Sequence, residues 1–452
     1  MDPKEKDAQA TRRVKAGKGF DSRLPHPSAF SLAHASPVQI LLLLIYRLAL
    51  DYIYLTMVCR IYGYDGYYAD VRPALYAASL LAALVFSPFV VRLQEESLPS
   101  ARILTFLNYI YFIPLTSYCG CGEGNAAFLL TGMVYWMFLL LAQFQLPVLR
   151  LAASPPRHAR RANLLLTVFA VAFTMFISGR YTGFRFTLDF IHVYEIRLEA
   201  SDWGMPEIFS YALSMMGVVL AILLLYWLNR KKFLTAAAVA VSYLFLFSIG
   251  GHKSLFFYLV LLLGGYFFYR PWMMRWIGGL LTLFAGAAVL EEKIIGSFYL
   301  MTLFFRRCMF LVVRLSHEYM EFFADNPLSL FRDGILGKLP GISPLYTTSI
   351  PKLIGEYRGH IGQNANNGLL GDLFANLPTA LGIVLMPLIL IVCFRLMDAV
   401  SQKLPERVTI STCLYFAVGF SNGSWSTVLL SGGFLTACLL FYCFPREEEP
   451  LL

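Results

Sequence analysis

Charge is scarce in this chain. Asp, Glu, Lys and Arg make up 14% of its 452 residues, 58% are hydrophobic, and mean hydropathy is +0.62. Soluble domains carry roughly 25% charged residues, and a soluble fold this apolar would expose patches that aggregate. Also missing is the alternation of apolar and polar residues that marks barrel strands, which leaves helices as the way to pair every backbone group in lipid. The expected fold class is therefore all-α, a polytopic helical bundle in a membrane. Metal-ligand spacings are lacking too: there is no DxD pair and no HExxH, and most of the eight cysteines are scattered through apolar blocks (Cys59, Cys393, Cys413, Cys438, Cys443). Cys119 and Cys121 share a short loop, where two small loop residues are a simpler reading than an oxidised pair. No P-loop, dinucleotide fingerprint or G-x-S-x-G elbow is present. No metal and no cofactor is expected. The first 36 residues are polar and basic and the apolar block after them is long enough to stay in a bilayer, so no cleavable signal is expected. Neither an internal repeat nor a soluble domain stands out.

What the chain does have is apolar blocks of spanning length from Pro37 to Phe444. About twelve spans are expected, at 37–59, 74–92, 102–118, 127–147, 163–179, 206–228, 233–250, 254–269, 276–290, 378–397, 408–422 and 427–444, most of them near the ~20 residues that cross a hydrocarbon core. Those at 254–269, 276–290 and 408–422 are short. Lys and Arg orient them. The N-terminal tail holds Lys4, Lys6, Arg12, Arg13, Lys15, Lys18 and Arg23, and alternate loops hold Arg150, Arg157, Arg160 and Arg161; Arg230, Lys231 and Lys232; Arg270 and Arg275; and Arg395, Lys403 and Arg407. Threaded through twelve spans, all fall on one side, which is then cytoplasmic with both termini. Much of the +9 net charge is accounted for in this way, so nucleic acid is not an expected partner. The organisation expected is a basic tail at 1–36, nine spans within 37–290, one large outer loop at 291–377, three spans within 378–444 and a second tail at 445–452.

Two outer loops stand apart. One is 180–205, and the other, 291–377, runs far beyond an ordinary connection. The second is rich in aromatics and not low in complexity, so a folded outer subdomain is expected. Its start, Phe298 to Phe323, is apolar with Arg306, Arg307 and Arg314 along it, which suits a partly inserted helix at the interface or one that re-enters the membrane. A thirteenth span is the alternative. Tyrosine-rich stretches at Ile61–Tyr68 and Leu107–Tyr111 fit a membrane-edge belt.

Charges at bilayer depth carry a cost and so have a partner or a role. Arg47 and Asp51, four residues apart in the first span, are read as an ion pair in preference to a substrate site. Arg180 and Arg185, followed by Asp189, His192, Glu195 and Arg197, share the outer edge with Arg306, Arg307 and Arg314. A basic cavity there would suit a diphosphate at the interface, because guanidinium forks take phosphate oxygens in pairs. The competing reading is snorkelling, or pairing with Asp189, Glu195 and Glu199. Lys253, in Gly250-Gly251-His252-Lys253-Ser254, is either part of a turn or a point charge for phosphate. Asn364 to Asn376 is rich in Asn and Gly, which make turns and whose amides also bind sugar hydroxyls. Glu356, Arg358, His360 and Asp372 flank it with acid–base capacity.

Several stretches together resemble the oligosaccharide repeat-unit polymerases, the Wzy-type O-antigen and exopolysaccharide polymerase family. They are YRLALDYIY in the first span, SIGGHKSLFF, FRRCMFLVVRLSHEYMEFFADNPLSLF, NANNGLLGDLFANL and SNGSWSTVLLSGGFL. The chain departs from the pattern at Leu377-Pro378 and Val312-Val313. The resemblance implies an inverting, metal-independent glycosyltransferase in a bacterial inner membrane. It would move a growing glycan from undecaprenyl pyrophosphate to an incoming lipid-linked repeat unit, with membrane lipid around it and a chain-length regulator as a further partner. For such a reaction the pyrophosphate clamp falls to Arg180, Arg185, Lys253, Arg306, Arg307 and Arg314, the base to Glu318, His317 or His360, and the sugar contacts to Asn364, Asn367, Asp372 and Asp189. The rivals are an O-antigen ligase, which shares the donor, and a flippase of lipid-linked glycan. A flippase should show two related halves and charges along a pathway, whereas the polar content here gathers in one asymmetric loop.

Overall fold

The structure is a computed structural model, and it describes residues 36–149, 151, 156–187, 193–334 and 336–444. All regular structure among the described residues is helical. Eight of these helices are long and apolar enough to cross a membrane: Pro37–Asp65, Pro73–Glu95, Ala126–Gln145, His158–Thr182, Glu207–Asn229, Phe233–Gly250, Thr379–Ser401 and Trp425–Tyr442. The protein is thus an all-α chain with the build of a membrane bundle. The blocks expected at 102–118, 254–269, 276–290 and 408–422 also lie on helices. They are Pro99–Leu107 continuing through Asn108–Phe112 to Ile113–Cys121, then Lys253–Phe268, Ile277–Ile295 and Glu406–Asn422.

Local sequence sets where these helices begin and stop. Pro37, Pro73 and Pro99 sit in the first turn of their helices, where a missing N–H costs nothing. Asn125 caps the helix from Ala126 by accepting a hydrogen bond from the Phe128 amide at 2.8 Å. Glu291, near the end of Ile277–Ile295, does the same for the helix that starts at Met301: its carboxylate accepts from the Tyr299 and Leu300 amides, both at 2.8 Å. The turn before it uses Gly296 at φ +73°. Where Ile277–Ile295 lies against the first helix, a Cβ on Gly278 would stand 3.0 Å from the Leu42 backbone, so a small residue lets the two backbones approach.

Helix Pro99–Cys121 gives the bundle two recognisable ends, about 30 Å apart. The Cys121 carbonyl accepts from the Asp70 amide at 3.0 Å, which places it beside the end of the first helix at Asp65. Ser100 marks the opposite end. In between, Arg47 and Asp51 form the expected ion pair. Arg47 is fully buried and also donates to Thr116 Oγ1 at 2.8 Å and Ser79 Oγ at 3.0 Å. That leaves the pair occupied inside the protein.

The apolar start of the long loop is one continuous helix, π-wound over Met301–Phe310 and α-helical over Leu311–Asp325. Thr302 meets Tyr62 at 2.8 Å and His317 meets Asn125 at 3.1 Å, so both halves pack at the Asp65 end. Between those contacts Met309 reaches Tyr46, well inside the first helix. This helix therefore packs at the Asp65 end along its length, with Met309 reaching in toward Tyr46. Beyond it, Ile350–Tyr357 and Leu370–Asn376 are short helices, and the latter packs against Leu311–Asp325.

Candidate functional site

At the Asp65 end three separate parts of the chain bring their charges together. Helix Met301–Asp325 supplies Arg306, Arg314 and Glu318, the segment after Ile350–Tyr357 supplies Arg358 and His360, and the end of the first helix supplies Asp65. Arg314 and Glu318 share a helix face because they are four residues apart. Asp65 accepts from Arg306, from Arg358 Nη2 at 3.4 Å and from His360 Nε2 at 2.9 Å. Its backbone carbonyl accepts from Arg314. Glu318 pairs through Oε1 with Arg314 Nε at 3.1 Å and through Oε2 with Arg358 Nε at 2.8 Å. Two aromatic rings complete the wall: the Arg306 guanidinium stands 3.9 Å from the Tyr62 ring centroid, and that of Arg314 stands 4.8 Å from Tyr67.

The electrostatics follow from burial and count. Among the directly paired groups three guanidiniums meet two carboxylates, with Glu321 and Glu123 farther out in the field of Arg314. Burial pushes the Glu318 carboxyl up to about 7, and the pull of Arg358 and Arg314 offsets this only in part. His317 is driven the other way, to about 4, by burial and then by Arg314 and Arg72, so it is a neutral imidazole at neutral pH. The His360 side chain keeps 34% of its exposure against 9% for Asp65 and 8% for Glu318, so the cluster opens outward on the His360 side.

The remaining residues expected from the sequence lie in other settings. His317 is one residue before Glu318 and makes no described contact with Asp65, with Nε2 toward Asn125 and Nδ1 3.4 Å from the Tyr118 hydroxyl. Arg307 is exposed and has no hydrogen-bond or ion-pair partner among the described residues. Arg180 stacks on Tyr181, and Arg185 pairs with Glu199 at 2.7 Å on the surface; no described contact joins either to the cluster. Lys253 is half-buried at the start of its own helix. Asn364 is exposed. Asn367 is buried, and its amide is taken up by the Val312 carbonyl at 3.2 Å, Ser316 Oγ at 3.0 Å and the Gly368 amide at 2.7 Å. It fixes the Asn-rich loop to helix Leu311–Asp325. Asp372 is also buried, accepting from the Trp425 amide at 2.8 Å and Asn376 Nδ2 at 3.1 Å, and burial raises its carboxyl to about 6. Asp189 lies outside the described residues. Among the described residues no group of three or more His, Cys, Asp or Glu could hold a metal ion.

Two members of the cluster were not picked out from the sequence as site residues. Arg358 was noted only as a flanking charge. Asp65 sits inside a tyrosine-rich stretch that reads as a membrane-edge belt. The available signal was a single acid in that stretch, because a lone carboxylate at a membrane edge needs a partner.

No family model, curated protein or solved structure matches this chain.

Proposed function

We propose that the protein is a membrane glycosyltransferase that polymerises undecaprenyl-pyrophosphate-linked oligosaccharide repeat units, with the Asp65 end of the bundle as its reaction side. The observation that carries this reading is the convergence of Arg306, Arg314 and Arg358 on one half-open site that also holds a carboxyl titrating near neutrality. In the proposed reaction the acceptor hydroxyl oxygen attacks the anomeric carbon of the lipid-linked glycan. The bond from that carbon to the diphosphate oxygen breaks, and its electron pair stays on the diphosphate. The three guanidiniums stabilise that charge as it develops. Glu318 takes the acceptor proton, since a base with a pKa near the working pH is the most effective. His360, more open and tied to Asp65, sits next to it. The proposed topology has twelve spans, cytoplasmic termini in a bacterial inner membrane, and residues 291–377 on the outer side.

The test is turnover of a defined lipid-linked repeat unit by the purified protein in a bilayer disc. The expected product is a ladder of lengthened glycans on the same lipid. Arg306→Ala should lower its rate roughly 100-fold or more, by loss of one donor to the leaving group, while melting as a folded protein. Growth only on a lipid A core would assign the ligase activity instead. Movement of the lipid across the bilayer without new glycosidic bonds would assign a flippase. Reporter fusions that place residues 291–377 in the cytoplasm would remove the proposed substrate side.

A further inference from the structure

In this structure the cationic site is already filled, and by the protein itself. Asp65 alone engages Arg306, Arg358 and His360 through its carboxylate and Arg314 through its carbonyl. A carboxylate ringed by guanidiniums makes the contacts a phosphate would make. We propose that Asp65 is a built-in competitor for the anion: its carboxylate holds the arginine site in the ligand-free protein and is exchanged for a diphosphate when substrate binds. The inference rests on the reading of the three arginines as a diphosphate site.

Three observations support exchange over a permanent pair. The first is charge. With the Asp65 carboxylate out, three guanidiniums face Glu318 alone among the directly paired groups, an excess of two positive charges there that suits a diphosphate better than the present excess of one. The second is the chain that carries Asp65. It ends the short 3-10 turn Gly63–Asp65 and is followed by Gly66 at φ +82°, a conformation that side chains other than glycine's rarely adopt. A Cβ on Gly66 would also collide with the Arg314 guanidinium, so this turn fits tightly over the arginines. The segment is a short strap over the site, with Tyr62 and Tyr67 laid on Arg306 and Arg314. The third is an unmet donor. Tyr67 is 1% exposed, and its hydroxyl has no hydrogen-bond partner. A buried hydroxyl without a partner is costly. An anion entering among these arginines would supply the missing acceptor, which the Asp65 carboxylate does not.

The experiment measures inorganic pyrophosphate binding to the purified full-length protein by calorimetry, for wild type, Asp65→Asn, Asp65→Glu and Arg306→Ala. Asp65→Asn should bind roughly ten-fold tighter than wild type, since a competing charge has been removed, while Asp65→Glu stays near wild type and Arg306→Ala binds more weakly than either. Equal or weaker binding by Asp65→Asn, with wild type still binding, would make Asp65 a structural counter-ion and end this proposal alone. Binding that is absent or indifferent to Arg306 would end the diphosphate reading as well. Because Asp65→Asn leaves cations unpaired and could unfold, a second measurement uses wild type only. Hydrogen exchange of the amides from Gly63 to Gly66 should rise when pyrophosphate is added, as the turn that carries Asp65 lets go while Tyr67 stays against the anion. Unchanged or slower exchange there would overturn the proposal without any variant.

Discussion

Two charged networks occupy opposite ends of the bundle, and they are built on different principles. At the Ser100 end, Asp398 accepts from the Ser100 amide at 2.8 Å, from Ser100 Oγ at 2.7 Å and from Arg395 Nη1 at 2.8 Å. Beside it Arg102 pairs with Glu406 at 2.6 Å and donates to the Gln94 carbonyl at 2.8 Å, while Gln143 donates to Ser100 Oγ at 2.9 Å. Two arginines meet two carboxylates, and Arg102, Arg395 and Asp398 are all buried. At the Asp65 end three arginines meet two carboxylates, and the cluster opens outward at His360. A largely buried and balanced network ties helices together, because each of its paired charges has its partner. An open network with surplus positive charge still has capacity for an anion. Burial of charge alone does not mark a functional site; the imbalance does.

The largest way to break this contrast is at the Ser100 end. Asp398→Ala leaves the Arg395 guanidinium buried among lost partners. Removing one member of a buried pair costs about 3–5 kcal/mol, a large share of a typical protein's stability. The expected outcome is a collapse in the yield of folded protein and a much lower melting temperature. Near-normal melting with lost turnover would mean the two ends had been assigned the wrong roles.

At the open end the effect is smaller and depends on pH. Glu318 faces Arg314 and Glu321 from its own helix, Arg358 from across the site, and Tyr118 from helix Ile113–Cys121. Its carboxyl lies above the ordinary value of 4.5, at about 7, because it is buried. A raised folded-state pKa means that the folded protein holds the proton more tightly than the unfolded chain. The stability this gives is complete below 4.5 and is lost as pH climbs through about 7. Wild type should therefore lose roughly 1–3 kcal/mol across that window relative to Glu318→Gln, which has no such group to titrate. Melting curves of the two proteins from pH 4 to pH 8 test it, and parallel curves would show that folding does not shift the Glu318 carboxyl. The same variant should flatten the rise of turnover with pH near 7, if Glu318 takes the acceptor proton.

How much of this was legible in the sequence depends on the range of the physics. Helices were, since a run of apolar residues must satisfy its own backbone in lipid and does so locally. The Arg47–Asp51 pair was legible for the same reason, at four residues' separation. The helix over Met301–Asp325 was visible in outline, because Arg306, Arg307 and Arg314 interrupt an apolar stretch at helical spacing. Assembly of the site was not. Asp65 and Arg358 lie 293 residues apart in the chain, and nothing local in either stretch names the other. Asn367 shows the converse failure: its amide suits a sugar, but Ser316 and Val312 already hold it. Side-chain chemistry tells what a residue can bind, and the tertiary fold decides whether it is free to do so. Arg180 and Arg185 have the right chemistry at the right edge of the bundle, yet they pack with Tyr181 and Glu199.

The smallest expected effect is also the sharpest test of the contrast, because it compares neighbours. Arg306 and Arg307 are adjacent, equal in charge and indistinguishable by sequence as clamp residues. Adjacent positions on a helix do not face the same way, and here that rotation separates a guanidinium bonded to Asp65 and stacked on Tyr62 from one that is exposed without an ion-pair partner among the described residues. If overall positive charge at the membrane edge were what mattered, losing either arginine would matter equally. If the site is the specific convergence of guanidiniums, Arg307→Ala should change stability by less than about 0.5 kcal/mol and turnover by no more than roughly twofold, as for an ordinary surface substitution. Turnover of the lipid-linked substrate at low and moderate salt distinguishes the two, since a diffuse field is screened within about 10 Å at 0.1 M salt and a buried pair is not. A loss in Arg307→Ala as deep as in Arg306→Ala, and erased by salt, would replace the assembled site with a surface potential.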